Sequence, residues 1–466
     1  MLKNTVRSLK DEIKELIPQK TQQFNLFRKK FKDVKIDTIT VNSILSGMRG
    51  NKSMFWQGTT LDPIEGIRFN NFTLSQCQTS LPGLNQNNHS NIFLPESMLW
   101  FLMTGGKIPT LQQSLQLSND LSERTKNGNL PPNVNNILSQ LPKKMHPMTQ
   151  LSIGLLLLQE NSFFQKNYEN GTLNKDTYWE DTLEDSLNLI AMMPLLAGKI
   201  YSNMINEGKP LGQFNPSKDW SYNICSLIGI NKNSDSSNIS NLSNRQLEDF
   251  VNLMRLYLGI HVDHEGGNVS AHSTHLVGSA LTDPYLSYSS GINGLAGPLH
   301  GLAAQEVVRF LIEMNSNISS PKNLLEIENY LWNLLSCKRV IPGYGHAVLR
   351  NTDPRFTSLL NFVHERSQEF ANDSHVQLMQ NLTKVAPKVL TEHGKCQNPY
   401  PNVDSASGIL FYHYGLKQTL FMTVIFACSR AIGPLSQLVW DRIYGLPIER
   451  PKSLDLNSLK KLVTSP

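Results

Sequence analysis

Four of the chain's twelve histidines fall within fifteen residues, in the stretch HVDHEGGNVSAHSTH from His261 to His275, beside the carboxylates Asp263 and Glu265. His261 and His264 are three residues apart, as are His272 and His275, and imidazole is the commonest protein ligand of zinc. The zinc helix motif, however, needs two histidines four apart with a glutamate directly after the first. Glu265 does follow His264, but Gly266 and Gly267 come next and residue 268 is asparagine. Adjacent glycines disfavour a helix and suit a backbone that bends or lets another group approach closely. Packing and substrate binding are the expected roles of this stretch, and no metal is expected.

Three further stretches join a titratable side chain to Pro or Gly: NGLAGPLHG, VIPGYGHAVLRNTDPR and NPYPNVDSASG. In the first, Pro298 suits a helix start and places His300 in the opening turn, where the positive end of the helix dipole disfavours an imidazolium. A neutral imidazole can donate a hydrogen bond to a carbonyl oxygen and so stabilise an enolate, although a packed histidine beside Gly301 is an equally good local reading. In the second, Gly343 and Gly345 flank Tyr344 and let the main chain pass close to a ligand, with His346, Arg350 and Arg355 following. The glycine spacing is not that of a dinucleotide-binding turn. Arg355, after Asp353-Pro354, reads equally as a surface residue near a helix start. In the third, Pro399 and Pro401 stiffen the approach to Asp404, which either caps a helix running through SGILFYHYG or, held at a rigid corner, serves as a general base.

The elements that must position these groups are mainly helical. SNRQLEDFVNLMRLYLGI opens with a Ser243–Gln246 capping box and carries Leu247, Phe250, Val251, Met254 and Leu258 on one stripe. Helices are also expected at about 149–160, 179–206, 298–314, 324–336, 354–371 and 376–393, the last closed by Gly394. Val6, Leu9, Ile13, Leu16 and Ile17 give the N-terminus an amphipathic helix with no apolar signal core. Asn- and Ser-rich stretches near Asn85 and from Asn231 read as surface loops. Strand-like alternation is rare, so the fold class is all-α.

Composition narrows the function. A chain of 466 residues with 39% hydrophobic content can build large cores, and its +5 charge is spread without a basic run, which argues against nucleic-acid binding. Five widely spaced cysteines suit free thiols in a reducing compartment. The apolar run LFMTVIFACSRAIGPLSQLVW carries Arg430 at its middle and Pro434 beyond it, so a buried helix with a functional arginine is expected instead of a membrane span.

Read together and in order, these stretches resemble the citrate synthases of the eukaryotic, mitochondrial type. The similarity runs from SGMRG near Gly47 through HPMTQLS at His146 to ERPKS at Glu449. It implies an all-α homodimer in which a small domain, residues 301–413, closes over the substrates, and residues 1–300 and 414–466 form a large domain. It implies condensation of acetyl-CoA with oxaloacetate and water to citrate and CoA, with no metal or redox cofactor. By the same resemblance Asp404 takes a proton from the acetyl methyl group, His300 donates to the thioester oxygen and His346 polarises the oxaloacetate ketone. A carboxylate of reference pKa about 3.9 is too weak a base to act alone on such a carbon acid, so stabilising the enolate oxygen is essential.

Oxaloacetate, a dianion, would be held by His264, Arg355, Arg430 and Arg450, the last reaching across from the other subunit, because guanidinium groups match carboxylates in two-point hydrogen bonds. CoA would lie along Val340, Gly343, Tyr344, Gly345 and Ala347, near Asn402, with phosphates close to Arg49, Arg350 and Lys395. Lys175 stands where many animal relatives have an arginine. His261, His272 and His275 would be packing or hydrogen-bonding residues. The resemblance implies the mitochondrial matrix, with the peroxisome as alternative; the C-terminal TSP is not the S-K-L tripeptide. A 2-methylcitrate synthase using propionyl-CoA and a filament-forming structural role are the competing readings.

Overall fold

The computed structural model describes residues 7–84, 91–126, 128–230 and 242–464. The Asn-rich stretches near Asn85 and from Asn231 therefore lie largely outside the described residues, as does Val6. Helices dominate the rest, with one three-stranded antiparallel sheet, β1 (Thr59–Asp62), β2 (Gly66–Phe69) and β3 (Phe72–Thr73). A continuous apolar core runs through the long helices Tyr178–Ile205, Asn244–Ile260 and Ile432–Tyr444 and on into Ala303–Asn317 and Ser374–His393.

Local signals set most boundaries. Ser243 and Gln246 form the capping box that starts the Asn244–Ile260 helix, and Gly394, at φ 73°, ends Ser374–His393 in the left-handed region. The N-terminal stripe folds as Leu9–Phe31, burying Leu9 and Ile13. Two expectations need correction. The helix expected from Pro298 begins only at Ala303, because the chain from Gly297 to Gly301 is spent on turns closed by His300 N–H to Gly297 O and Gly301 N–H to Leu295 O. The segment expected as one helix to residue 371 breaks at Arg366, whose φ of −115° and ψ of 33° leave the helical region. There the Arg366 guanidinium turns to Asp249, 2.6 Å away on the Asn244–Ile260 helix.

The run around Arg430 folds as two helices, Met422–Arg430 and Ile432–Tyr444. By length and hydropathy Thr419–Tyr444 could cross a bilayer, but 83% of its most apolar window is buried inside the protein. All five cysteines are free.

The small sheet joins two walls of the eventual site. Thr59, opening β1, donates its hydroxyl to Asp263 and accepts the Glu265 N–H. The β1–β2 turn receives the other wall, since Pro63 O accepts Arg350 N–H at 2.7 Å and Ile64 O accepts from the Asn351 side chain. Gly66, the first residue of β2 after this turn, has φ 88°, and a Cβ there would lie 2.5 Å from the Pro354 ring. Overpacking a tight contact and forcing a side chain to positive φ each destabilise. Gly66→Ala is accordingly expected to cost about 2–3 kcal/mol, read as a lower urea midpoint at unchanged slope.

Candidate active site

The residues of the opening histidine stretch part company in space. His261, closing the Asn244–Ile260 helix, stacks on Tyr257 and donates Nδ1–H to Tyr257 O at 2.9 Å. His272 and His275, on the Val269–Ser279 helix, meet Glu449 and Asp441, each at 2.8 Å. His264 alone joins the histidines of the other motifs, its ring 5.3 Å from that of His346. Asp263 is buried and fully used, accepting from Trp56, Thr59 and the His264 main chain. His261 and His264 thus have separate surroundings while His272 and His275 share Glu449, and no group of three metal-type ligands forms among the described residues. The glycine pair divides: Gly266 lets Met54 and Trp56 approach as closely as the sequence suggests, since a Cβ there would lie 2.6 Å from the Met54 sulfur, whereas a Cβ on Gly267 would meet Glu265 Oε1 at an ordinary 3.8 Å.

His264, His300, His346, Asp404, Arg355 and Arg430 converge on one cleft. Burial lowers the His264 pKa well below its usual value, and Arg355, His346, Arg430 and His300 lower it further, so all four stand within electrostatic reach. Its Nε2 is buried without a hydrogen-bond partner. An unpaired buried polar atom costs free energy unless a ligand satisfies it.

Two imidazoles are held neutral, and the main chain selects their tautomers. His346 Nδ1 accepts the N–H groups of Val348 and Leu349, both at 3.0 Å, so the proton of the neutral ring sits on Nε2. Burial first and Arg355 second bring its pKa to about 4. His300 has the opposite arrangement: Nε2 accepts Ser270 N–H at 3.3 Å and lies 3.0 Å from Ser270 Oγ, leaving the proton on Nδ1. Its pKa falls to about 3 through burial and then Arg430. Since the next helix starts only at Ala303, burial holds this imidazole neutral and the expected helix dipole is not the cause. Each ring keeps one N–H free of these bonds.

Asp404 is the first residue of the Asp404–His413 helix, and its side chain does not cap that helix, contrary to the local alternative. Asn402 fixes it: Oδ1 accepts Asp404 N–H at 3.0 Å while Nδ2 donates to Gly345 O at 3.1 Å. Burial raises the Asp404 pKa to about 6, with Arg355 and Arg430 opposing and Asp353 adding to the rise. Gly343 and Gly345 adopt φ of 81° and 94°, and a Cβ on Gly343 would lie 2.6 Å from Ser405 Oγ. The Gly-Tyr-Gly turn therefore lies directly on the strap that carries Asp404, with Tyr344 bridged to Pro401.

Both cleft arginines are anchored by the protein. Arg355 gives Nε and Nη2 to the carboxylate of Asp353 at 3.1 and 2.7 Å, and Arg430 gives Nε to His261 O and Nη1 to Asn268 Oδ1 and Ser270 Oγ. The two-point match expected for a substrate is thus made by Arg355 with its own neighbour, leaving Nη1 outside that pair. Asp353 is held below the usual carboxylate range by Arg355 despite its burial. Asp353, Asn268 and Ser270 are the residues that local reading missed. The only signal for them was their place beside Arg355 and within the Asn-Val-Ser turn after the glycine pair.

The remaining candidates lie at the rim. Val340, Ala347, Arg350 and Lys395 are exposed. Arg350 folds back onto the carbonyls of Ala347, Val348 and Leu349 and touches Gln397. Arg49, Lys175 and Arg450 are exposed as well. Of these, Arg350 reaches the site electrostatically, adding to the lowering of the His346 pKa behind burial and Arg355.

A mainly helical chain whose cleft pairs two neutral imidazoles with a carboxylate of raised pKa and two buried arginines is suited to enolisation beside an anionic acceptor. Residues 47–452 match the family profile described as citrate synthase, C-terminal domain. The chain is 60% identical over 464 residues to citrate synthase 3, mitochondrial, of Saccharomyces cerevisiae, covering 99% of this chain and 94% of that one. It is 47% identical to the mitochondrial 2-methylcitrate synthase of Aspergillus fumigatus, covering 97% and 93% of the two chains. The crystal structure of citrate synthase from Pyrobaculum aerophilum superposes with a TM-score of 0.70 at 21% identity, over 91% of this chain and 96% of that one. The chain belongs to the citrate synthase family.

Proposed function

We propose that this protein condenses acetyl-CoA with oxaloacetate and water, releasing citrate and CoA. The observation that carries the reading is the pair of neutral imidazoles with opposite tautomers, grouped with Asp404 around Arg355 and Arg430. Asp404 removes a proton from the acetyl methyl group while His300 Nδ1–H donates to the thioester oxygen, so negative charge on that oxygen meets a donor as it forms. The enol carbon attacks the ketone carbon of oxaloacetate, whose oxygen accepts from His346 Nε2–H, giving citryl-CoA. Water then cleaves the thioester to citrate and CoA. His264, with its orphaned Nε2, and Arg355 and Arg430 hold the oxaloacetate carboxylates. The chemistry calls on no metal or redox cofactor, since each proton moves between groups of this site.

In this reading residues 301–413 move as a small domain against 1–300 and 414–466, bringing His346 and Asp404 onto substrate held by His264 and Arg430. CoA follows the strap from Val340 through Gly343, Tyr344 and Gly345 to Ala347, beside Asn402, with Arg49, Arg350, Lys395 and Lys175 near its phosphates. The working unit is a homodimer. Two observations support it: Arg450 lies exposed, and Val269, Leu276 and Leu281 on and beside the Val269–Ser279 helix are 51, 43 and 45% exposed. Placement in the mitochondrial matrix is supported by the named relatives.

The likeness to 2-methylcitrate synthases favours a second acyl donor, propionyl-CoA. One methylene changes pocket fit by only about 1–3 kcal/mol, so both thioesters are expected to react at different efficiencies. Side-by-side kcat/KM values with the two donors decide which is preferred, and a higher value for propionyl-CoA would replace the first reading with the second.

A further inference from the structure

The histidine stretch contains one arrangement that the proposed chemistry does not use. Glu449, directly before Arg450, is fixed at three points on the Val269–Ser279 helix. Its N–H donates to Ser279 Oγ at 3.0 Å, its Oε1 lies 2.8 Å from His272 Nε2, and its Oε2 lies 3.6 Å from His275 Nε2. Oε2 is buried with no hydrogen bond of its own. His275 is in turn braced by Asp441 at 2.8 Å, which also accepts from Gln437. Its ring stands edge-on to Trp56. Prolines at 447 and 451 stiffen the chain on both sides of the Glu449-Arg450 pair.

The faces of this helix matter. Ser270 meets His300 and Arg430 on the side of the chain's own cleft. Residues two apart on a helix do not face the same way, so His272, with His275 one turn further, grips Glu449 on the side turned from that cleft. Arg450 leaves the clamp exposed.

We propose that Glu449, gripped by His272 and His275, is a positioning residue that aims Arg450 into the oxaloacetate site of a second copy of this chain. The inference rests on the dimeric reading above and extends it. One helix then serves two sites, steadying His300 and Arg430 of its own cleft through Ser270 and the arginine delivered to the other through its two histidines.

Two experiments separate the clamp from the reading beneath it. Chains carrying Arg450→Ala and chains carrying Asp404→Ala, each inactive alone, are co-expressed with different tags and the hybrid dimer is purified. If Arg450 acts in the second copy, the hybrid has one intact site and recovers a substantial fraction of wild-type activity. No recovery places Arg450 elsewhere and removes the proposal with it. In the homodimer, Glu449→Ala and His272→Ala are each expected to raise KM for oxaloacetate roughly tenfold while KM for acetyl-CoA stays within about twofold. The double variant should be no worse than the poorer single one, because both changes break one clamp. His272 is partly exposed, so its variant tests the idea even if Glu449→Ala folds poorly. Recovery in the hybrid together with an unchanged KM for oxaloacetate, or with losses that simply multiply, would overturn the clamp.

Discussion

Asp404→Ala is expected to lower kcat by about 10³-fold, within the 10²–10⁴ range that a positioned general base supplies, and to leave oxaloacetate binding close to wild type. The carboxyl touches neither anchored arginine in the chain's own hydrogen bonds, so its loss leaves Arg355 on Asp353 and Arg430 on Asn268 and Ser270. Isothermal titration with oxaloacetate and a thiol-release assay separate the two effects. The same residue sets the acid limb of the pH profile. Asp404 must be ionised to accept a proton, and burial places its pKa near 6, so kcat should fall tenfold per pH unit below about 6. His300 and His346, at about 3 and 4, stay neutral across that limb and do not blur it. A limb centred near the ordinary carboxylate value would mean that the closed site solvates Asp404 far better than this structure does.

Arg430→Lys is expected to weaken oxaloacetate binding by roughly 30-fold to several thousand-fold, the 2–5 kcal/mol lost when one partner of a buried, hydrogen-bonded charge pair is removed. A lysine, even when charged, cannot hold His261 O, Asn268 and Ser270 along one planar group. Since Arg430 is 1% exposed and its burial already lowers its pKa to about 10, a lysine there would be driven towards its neutral form. The effect should appear in KM for oxaloacetate and in a reduced thermal midpoint. A KM within a few-fold of wild type would show that Arg430 only braces the fold.

These expectations rest unevenly on the sequence. The helix boundaries at Ser243 and Gly394 were legible because caps are local chemistry. The motifs around His264, His300, His346 and Asp404 were legible because long, ordered stretches resemble one family. What holds those groups was hidden. Asp263 is tied to Trp56 and Thr59 from some two hundred residues away, and no spacing rule reports a contact made only when the chain folds. His300 shows the same limit from another side: its imidazole is kept neutral by burial beside Arg430, a tertiary cause that the local helix-start pattern does not display. Asp353 has two roles. It caps the Pro354–Glu365 helix and also pairs with Arg355, and the sequence displays only the first of these. Glu449 carries no local signal, because its partner His272 lies some 175 residues earlier.

If this site makes a carbon–carbon bond between an acyl-CoA and oxaloacetate, free thiol reports it. Purified protein mixed with acetyl-CoA and oxaloacetate should release CoA with one citrate formed per thiol, and neither substrate alone should support the reaction. Thiol release no faster than the uncatalysed background with both substrates present, from folded protein, would contradict the account.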